Sequence, residues 1–285
     1  MNYINGILFI IFAPIIGGLL QGIDRKISAR MQGRIGPPIL QPFYDVKKLL
    51  SKEVIVINKA EKFFLAFFLI FMIFTGVIFF CGGDILLVTF AFTLTSIFLV
   101  IAAYSTNSPF STIGAERELL QMMSYEPMVL LTAVGFYLAK DSFNVKDIVI
   151  GNVPPIVYLP GIFLGFVFIL TIKLRKSPFD LSASHHAHQE LVKGITTEFS
   201  GKTLAIVEIA HWYEDVLLYG FVYIFFRFNN PMSILLALAM CVVVYIVEIL
   251  IDNTFSRVKW QALLSSSWIV SGTIGFVNIF ILSLL

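Results

Sequence analysis

Apolar residues run along this chain in long blocks separated by short polar intervals. Eight blocks approach the roughly 20 residues needed to cross a hydrocarbon core. They cover about 5 to 23, 62 to 81, 85 to 104, 119 to 139, 156 to 174, 204 to 226, 232 to 252 and 262 to 283. The pattern predicts an all-α polytopic membrane protein of about eight transmembrane helices, one integral membrane domain over residues 1–285. Acids interrupt the fourth and sixth blocks. Between the first two, QPFYDVKKLLSK reads as a short amphipathic helix from about 42 to 52, too polar to cross and suited to lie in the interface. A rigid turn at Gly36, Pro37 and Pro38 precedes it, flanked by Arg30 and Arg34, which read equally as phosphate-headgroup anchors.

Composition agrees with the pattern. The chain is 58% hydrophobic and 13% charged, against roughly 45–50% apolar in a soluble domain. No basic patch points to nucleic acid. The apolar run near the N terminus has no Lys or Arg before it and reads as a retained first span rather than a cleaved signal. The net charge of +2 matters less than where the cations fall. Seventeen of the twenty Lys and Arg lie on one side of the eight-span arrangement, leaving Lys140, Lys146 and Arg227 on the other. The richer side is cytoplasmic by the positive-inside rule, so both termini are expected outside the cell membrane. Two long loops, about 24 to 61 and 175 to 203, then form a cytoplasmic docking surface. The external loops are short except for about 140 to 155, where NVPP reads as a turn.

All Lys and Arg fall outside or at the rims of the predicted spans, whereas Glu126, Glu208, Glu214, Asp215 and Glu248 lie within them and Asp252 near an end. A carboxylate at membrane depth costs a few kcal/mol or more, so such residues face a cavity or the bundle interior. They serve either as a proton relay or as hydrogen-bonding groups between helices. Glu208, His211 and Asp215 are spaced i, i+3, i+7 on one helical face, with Glu214 a step around. At about 1.5 Å per residue this ladder reaches about 15 Å into the span. Glu126 precedes Pro127, whose missing N–H is expected to free a carbonyl for water.

Three of four histidines, His185, His186 and His188, cluster beside Asp180, Glu190 and Glu198 in SPFDLSASHHAHQELVKGITTEFSG. Their spacing matches no strong zinc signature. A proton-shuttling or partner-contacting surface is the favoured reading, a metal site the least favoured. Cys81 and Cys241 read as small buried hydrophobes, too few for an iron–sulfur cluster that needs about four thiolates. Any electron carriers belong to other subunits.

Four segments, MQGRIGPPILQPFYDVKKLLSKE, RELLQMMSYE, the histidine stretch and RVKW, resemble the motifs of the H subunit of respiratory complex I and its hydrogenase relatives. Complex I proteins of this type usually read RIGPN where this chain has RIGPP, and an acidic stretch where it has HHAHQ. These departures resemble the Ech-type energy-converting membrane-bound [NiFe] hydrogenases. The resemblance implies a non-redox membrane subunit of an oxidoreductase complex. It would anchor the hydrogenase large and small subunits beside an antiporter-like membrane subunit and couple ferredoxin- or hydrogen-linked chemistry to proton or sodium-ion movement. No cofactor is expected in this chain; the NiFe centre and iron–sulfur clusters would sit in its partners. Family acids map onto Glu126, Glu190 and Glu198, and family arginines onto Arg34 and Arg257. Arg30, Asp45, Arg117, Asp180 and the three histidines complete the expected docking and coupling loops. Asp24 stands where complex I usually has Glu. Alternatives are a quinone-site subunit of a complex I relative and a formate hydrogenlyase membrane subunit. A stand-alone transporter commonly shows inverted repeats, which the chain lacks; a zinc-dependent intramembrane enzyme rests only on the histidines.

Overall fold

The computed structural model describes residues 3–53, 58–182 and 193–284. It is all-helical: α1 Tyr3–Met31, α2 Gln41–Ser51, α3 Lys59–Phe80, α4 Ile85–Tyr104, α5 Pro109–Lys140, α6 Val145–Ile150, α7 Pro160–Lys173, α8 Lys202–Phe226, α9 Met232–Thr254, α10 Trp260–Val270 and α11 Phe276–Leu284. A π turn at Ser271–Gly275 joins the last two into one rod. Among the described residues, six helical rods, α1, α3, α4, α5, α9 and α10–α11, are long and apolar enough to cross a membrane. The 14-residue α7 and the acid-bearing 25-residue α8 complete the eight blocks expected.

Three boundaries differ from the sequence expectation. α1 runs past residue 23 because its polar tail, from Asp24 to Arg30, stays helical and gathers partners from distant loops. α5 starts ten residues early because its first turns are buried under the 194–196 segment, where a side chain at Gly114 would overlap the Ile195 backbone. The 140–155 connection is not a plain turn: it holds α6 and a 3-10 turn at Pro155–Val157.

α2 forms where its amphipathic pattern places it. Its Pro42 is buried, its Val46 packs with Ala205 and Trp212 of α8, Phe43 packs 5.1 Å from Trp212, and Arg25 binds Asp45 at 2.8 Å. α1 and α8 approach closely because Gly17 presents no side chain to the Trp212 backbone. Aromatic rings fill the centre, among them the pairs Phe136–Phe225 at 4.7 Å and Phe79–Phe221 at 4.8 Å. Outward faces of α1, α9 and α11 carry large exposed apolar side chains such as Ile11, Leu235, Val243 and Phe280, the belt expected of a chain solvated by hydrocarbon or by neighbouring subunits.

Each intramembrane proline releases one carbonyl four residues back. Pro14 releases that of Ile10, which accepts a 2.8 Å hydrogen bond from the Tyr213 hydroxyl. Pro127 releases that of Met123, which accepts from the Trp268 indole at 3.1 Å. The carbonyl freed by Pro127 is therefore taken by an indole of α10, not left for water, because α10 crosses α5 within reach.

Candidate functional site

The site grows out of the end of α7. Arg175 adopts a left-handed conformation at φ 52°, and the turn closes with two hydrogen bonds, Arg175 N–H to Ile172 and Lys176 N–H to Thr171, both 3.1 Å. This is a Schellman stop whose left-handed position, usually glycine, is an arginine. The conformation costs about 1–2 kcal/mol for a residue with Cβ. The contacts of the guanidinium offset that cost.

Three cations, Lys173, Arg175 and Lys176, leave this turn in different directions. Arg175 meets Glu118 of α5 at 2.9 Å and Glu214 of α8 at 3.5 Å. Lys173 meets Glu214 at 3.2 Å, the Tyr125 hydroxyl at 2.9 Å and the Ser96 hydroxyl at 2.8 Å, so its three N–H donors are all used. Its ammonium also stands 4.1 Å from the Phe92 ring centre. Glu118, Glu214 and Lys173 are each no more than 5% exposed. The order Glu118, Arg175, Glu214, Lys173 alternates in sign and sums to zero, which is how four charges persist in an apolar interior. Arg175 Nη1 also lies 3.1 Å from His211 Nε2. A guanidinium only donates, so Nε2 accepts and the ring proton sits on Nδ1.

Lys176 turns the other way, binding Asp24 of α1 and standing 3.9 Å from Asp252 of α9. Asp252 also accepts the Ser177 backbone N–H at 2.8 Å. Asp215 lies within electrostatic range of Lys176 and Asp24. Glu248, fully buried on α9, lies within range of Lys176 and Asp252, and neither of its oxygens has a hydrogen bond among the described residues.

A third contact ties the loop to the α9–α10 connection: Arg257 donates to Asp180 at 2.8 Å, and the Val258 N–H to the Pro178 carbonyl at 3.1 Å. Burial pushes the Asp180 carboxyl up to about 6, outweighing the Arg257 guanidinium that opposes it. Its second oxygen has no hydrogen bond among the described residues.

The structure thus joins His211, Glu214 and Asp215 to the loop, along with Asp180 and Arg257, whereas Asp45 pairs with Arg25 and ties α2 to α1. Glu126 and Glu208 are half-buried with no hydrogen bond among the described residues, although Glu126 lies within electrostatic range of Lys173. Glu198 is half-buried beside the fully buried Glu61. Arg30 is exposed, Arg34 is exposed and held by Gln32, and Arg117 is half-buried and engaged. His185, His186, His188 and Glu190 lie outside the described residues.

The sequence reading put every cation outside the spans or at their rims. Lys173 stands at such a rim, as the last residue of α7, but it is buried there, because three polar groups and two ring faces replace its water. Glu118, Arg175 and Lys176 were missed as well. A signal existed, since Glu118, Gln121 and Tyr125 repeat the i, i+3, i+7 spacing of the α8 ladder, and all three are buried. Gln121 donates to the Phe179 carbonyl at 2.6 Å, completing the α5 face that receives the loop. Among the described residues, no three His, Cys, Asp or Glu side chains converge as metal ligands, and Cys81 and Cys241 are free thiols.

Residues 4–283 match the family model described as NADH dehydrogenase. The H subunit of the NADH-quinone oxidoreductase of Anoxybacillus flavithermus is 31% identical over 310 residues, covering 98% of this chain and 91% of that one. Its counterpart in Geobacillus thermodenitrificans is 32% identical over 287 residues, covering 90% and 85%. Among solved structures, a chain of the membrane-bound sulfane sulfur reductase, an archaeal respiratory membrane complex, superposes with a TM-score of 0.86 at 24% identity, covering 98% of this chain and 99% of that one. With its fold, motifs and relatives in agreement along nearly the whole length, the chain belongs to the NADH dehydrogenase family that includes the H subunits of complex I.

Proposed function

We propose that this chain is the non-redox membrane subunit of an energy-converting [NiFe] hydrogenase, seating the hydrogenase large and small subunits on its 24–61 and 175–203 loops. The observation that carries the coupling role is the three-way fan of Lys173, Arg175 and Lys176. One short turn contacts acids on α1, α5, α8 and α9 at once. A charge that appears above this turn, when a partner's centre is reduced or a proton arrives, acts on all four helices. At an effective dielectric of about 20, two unit charges about 10 Å apart interact by about 1.7 kcal/mol, enough to shift a proton equilibrium about tenfold. Asp180, Glu190 and Glu198 would receive the charge change. Glu126, Glu208, His211, Glu214, Asp215 and Glu248 would pass it toward an antiporter-like neighbour that moves protons or sodium ions. Electrons from ferredoxin stay in the partner subunits, with the NiFe centre and iron–sulfur clusters. The seventeen clustered cations support a cytoplasmic position for the loops and external termini in the cell membrane.

The hydrogenase assignment rests on RIGPP and HHAHQ, where the quinone branch usually differs. A second reading, a quinone-site subunit, is favoured by the names of the curated relatives. Purification of the native complex through a tag on this chain separates them. Hydrogen evolution with stoichiometric nickel supports the hydrogenase; quinone-dependent turnover without nickel overturns it.

A further inference from the structure

A cavity of about 860 Å³ lies between α1, α3, α6, α8 and α9, at the end of the bundle opposite the 175–182 turn. Its wall is almost wholly apolar, with Phe80, Val216, Leu238 and Val242 among its residues. Leu238 and Val242 are 51% and 56% exposed, so the cavity opens sideways onto the apolar belt and not only toward the α6 end. Among the described residues, Lys146 and Arg227 are the only charged ones that line it, and both are cations. They stand at the same end of the bundle, on α6 and just past the last turn of α8.

The cations are not consumed by the fold. The exposed Lys146 side chain has no ion pair or hydrogen bond among the described residues. Arg227 uses Nη1 on Phe228, Asn230 and Ser233, where it closes the α8–α9 turn. Two acids at this end of the bundle are engaged elsewhere: Asp147 accepts from Ser142 and Asn144, and Asp84 from the first N–H groups of α4.

Depth matches one leaflet. Arg227 and Val216 both line the cavity, and the α8 segment between them, at about 1.5 Å per residue, spans about 16 Å, half of a hydrocarbon core of about 30 Å. A ligand that satisfies both ends has an anionic head and apolar tails. We propose that the cavity binds one anionic phospholipid of the leaflet at the α6 end, its phosphate between Lys146 and Arg227 and its acyl chains along α8 and α9.

The test uses the whole complex, purified through a tag on this chain and placed in nanodiscs of equal phosphatidylglycerol and phosphatidylcholine, each carrying a photoactivatable acyl chain. Phosphatidylglycerol should label peptides spanning 216–224 and 238–245 in clear preference to phosphatidylcholine. Lys146→Gln should cut that preference about fivefold, the worth of one basic residue beside an anionic headgroup. Val242→Trp, which obstructs the sideways opening and leaves both cations in place, should sharply reduce labelling by either lipid while the complex stays assembled. Equal labelling by the two lipids in the wild type, or labelling unchanged by both substitutions, overturns the proposal. So does a crosslink showing the cavity filled by a helix of a neighbouring subunit.

Discussion

Replacing Glu214 by Gln removes the carboxylate shared by two buried cations. Lys173 at 3.2 Å and Arg175 at 3.5 Å would then have only Glu118 between them. At an effective dielectric of about 20 each lost contact is worth about 5 kcal/mol in Coulomb energy. Several kcal/mol return because the carboxylate no longer has to be dehydrated. Broken buried pairs lose about 3–5 kcal/mol net. At about 2–4 °C per kcal/mol, the thermal transition of the purified complex should fall by about 6–20 °C. The decisive variant is the double substitution Glu214→Gln with Lys173→Met, which removes one charge of each sign and restores the balance. It should recover at least half of the loss, a coupling read directly from the double-mutant cycle by size-exclusion thermostability. Losses that simply add would refute the claim that the four charges act as one neutral unit.

Other substitutions test neighbouring parts of the account. Asp180 is held up to about 6 against a usual value of 3.8, so its contribution to stability is full below about pH 4 and lost as pH rises through about 6, a swing of about 3 kcal/mol. The stability of the wild type relative to Asp180→Asn should therefore fall between pH 4 and 7; a flat difference contradicts this. Arg175→Gly relaxes the left-handed turn by about 1 kcal/mol but leaves Glu118 and Glu214 short of a cation. It should be net destabilising, and a variant as stable as wild type would show that the turn, not the charge, matters. Tyr213→Phe should cost about 1–3 kcal/mol by orphaning the Ile10 carbonyl, and adding Pro14→Ala, which restores a backbone N–H, should recover most of it in the same thermal assay. No recovery would sever the link between that proline and that hydroxyl.

Long apolar blocks announced the bundle because a helix in hydrocarbon must satisfy its own backbone, so length and hydropathy nearly suffice to find it. α2 was legible for a similar reason, its apolar residues falling on one face. The site was legible in its acids, in His211 and in Arg257, but not in the cations of the turn. Glu214 and Asp215 stood out because a carboxylate inside an apolar run has no cheap explanation. Lys173, Arg175 and Lys176 did not, because cations at the end of a span are what topology alone requires. Their partners lie far away in sequence, as with Lys176 and Asp24, 152 residues apart. Nothing near Asp24 or Asp252 in sequence tells that Lys176 and Ser177 will reach them. The fate of the Met123 carbonyl was hidden too, since nothing local to Pro127 tells that an indole 145 residues beyond Met123 will reach it.

The central claim is that this subunit couples partner redox chemistry to ion movement through its buried and half-buried acids. Glu126 is the cleanest probe, because it neighbours Tyr125 on Lys173 yet makes no hydrogen bond among the described residues, so its replacement should spare the fold. The measurement is ion uptake per turnover by the whole complex in sealed proteoliposomes, wild type against Glu126→Gln. The account predicts an assembled complex whose redox turnover persists when the membrane is made leaky while ion uptake is lost. Unimpaired uptake at the wild-type ratio would contradict it.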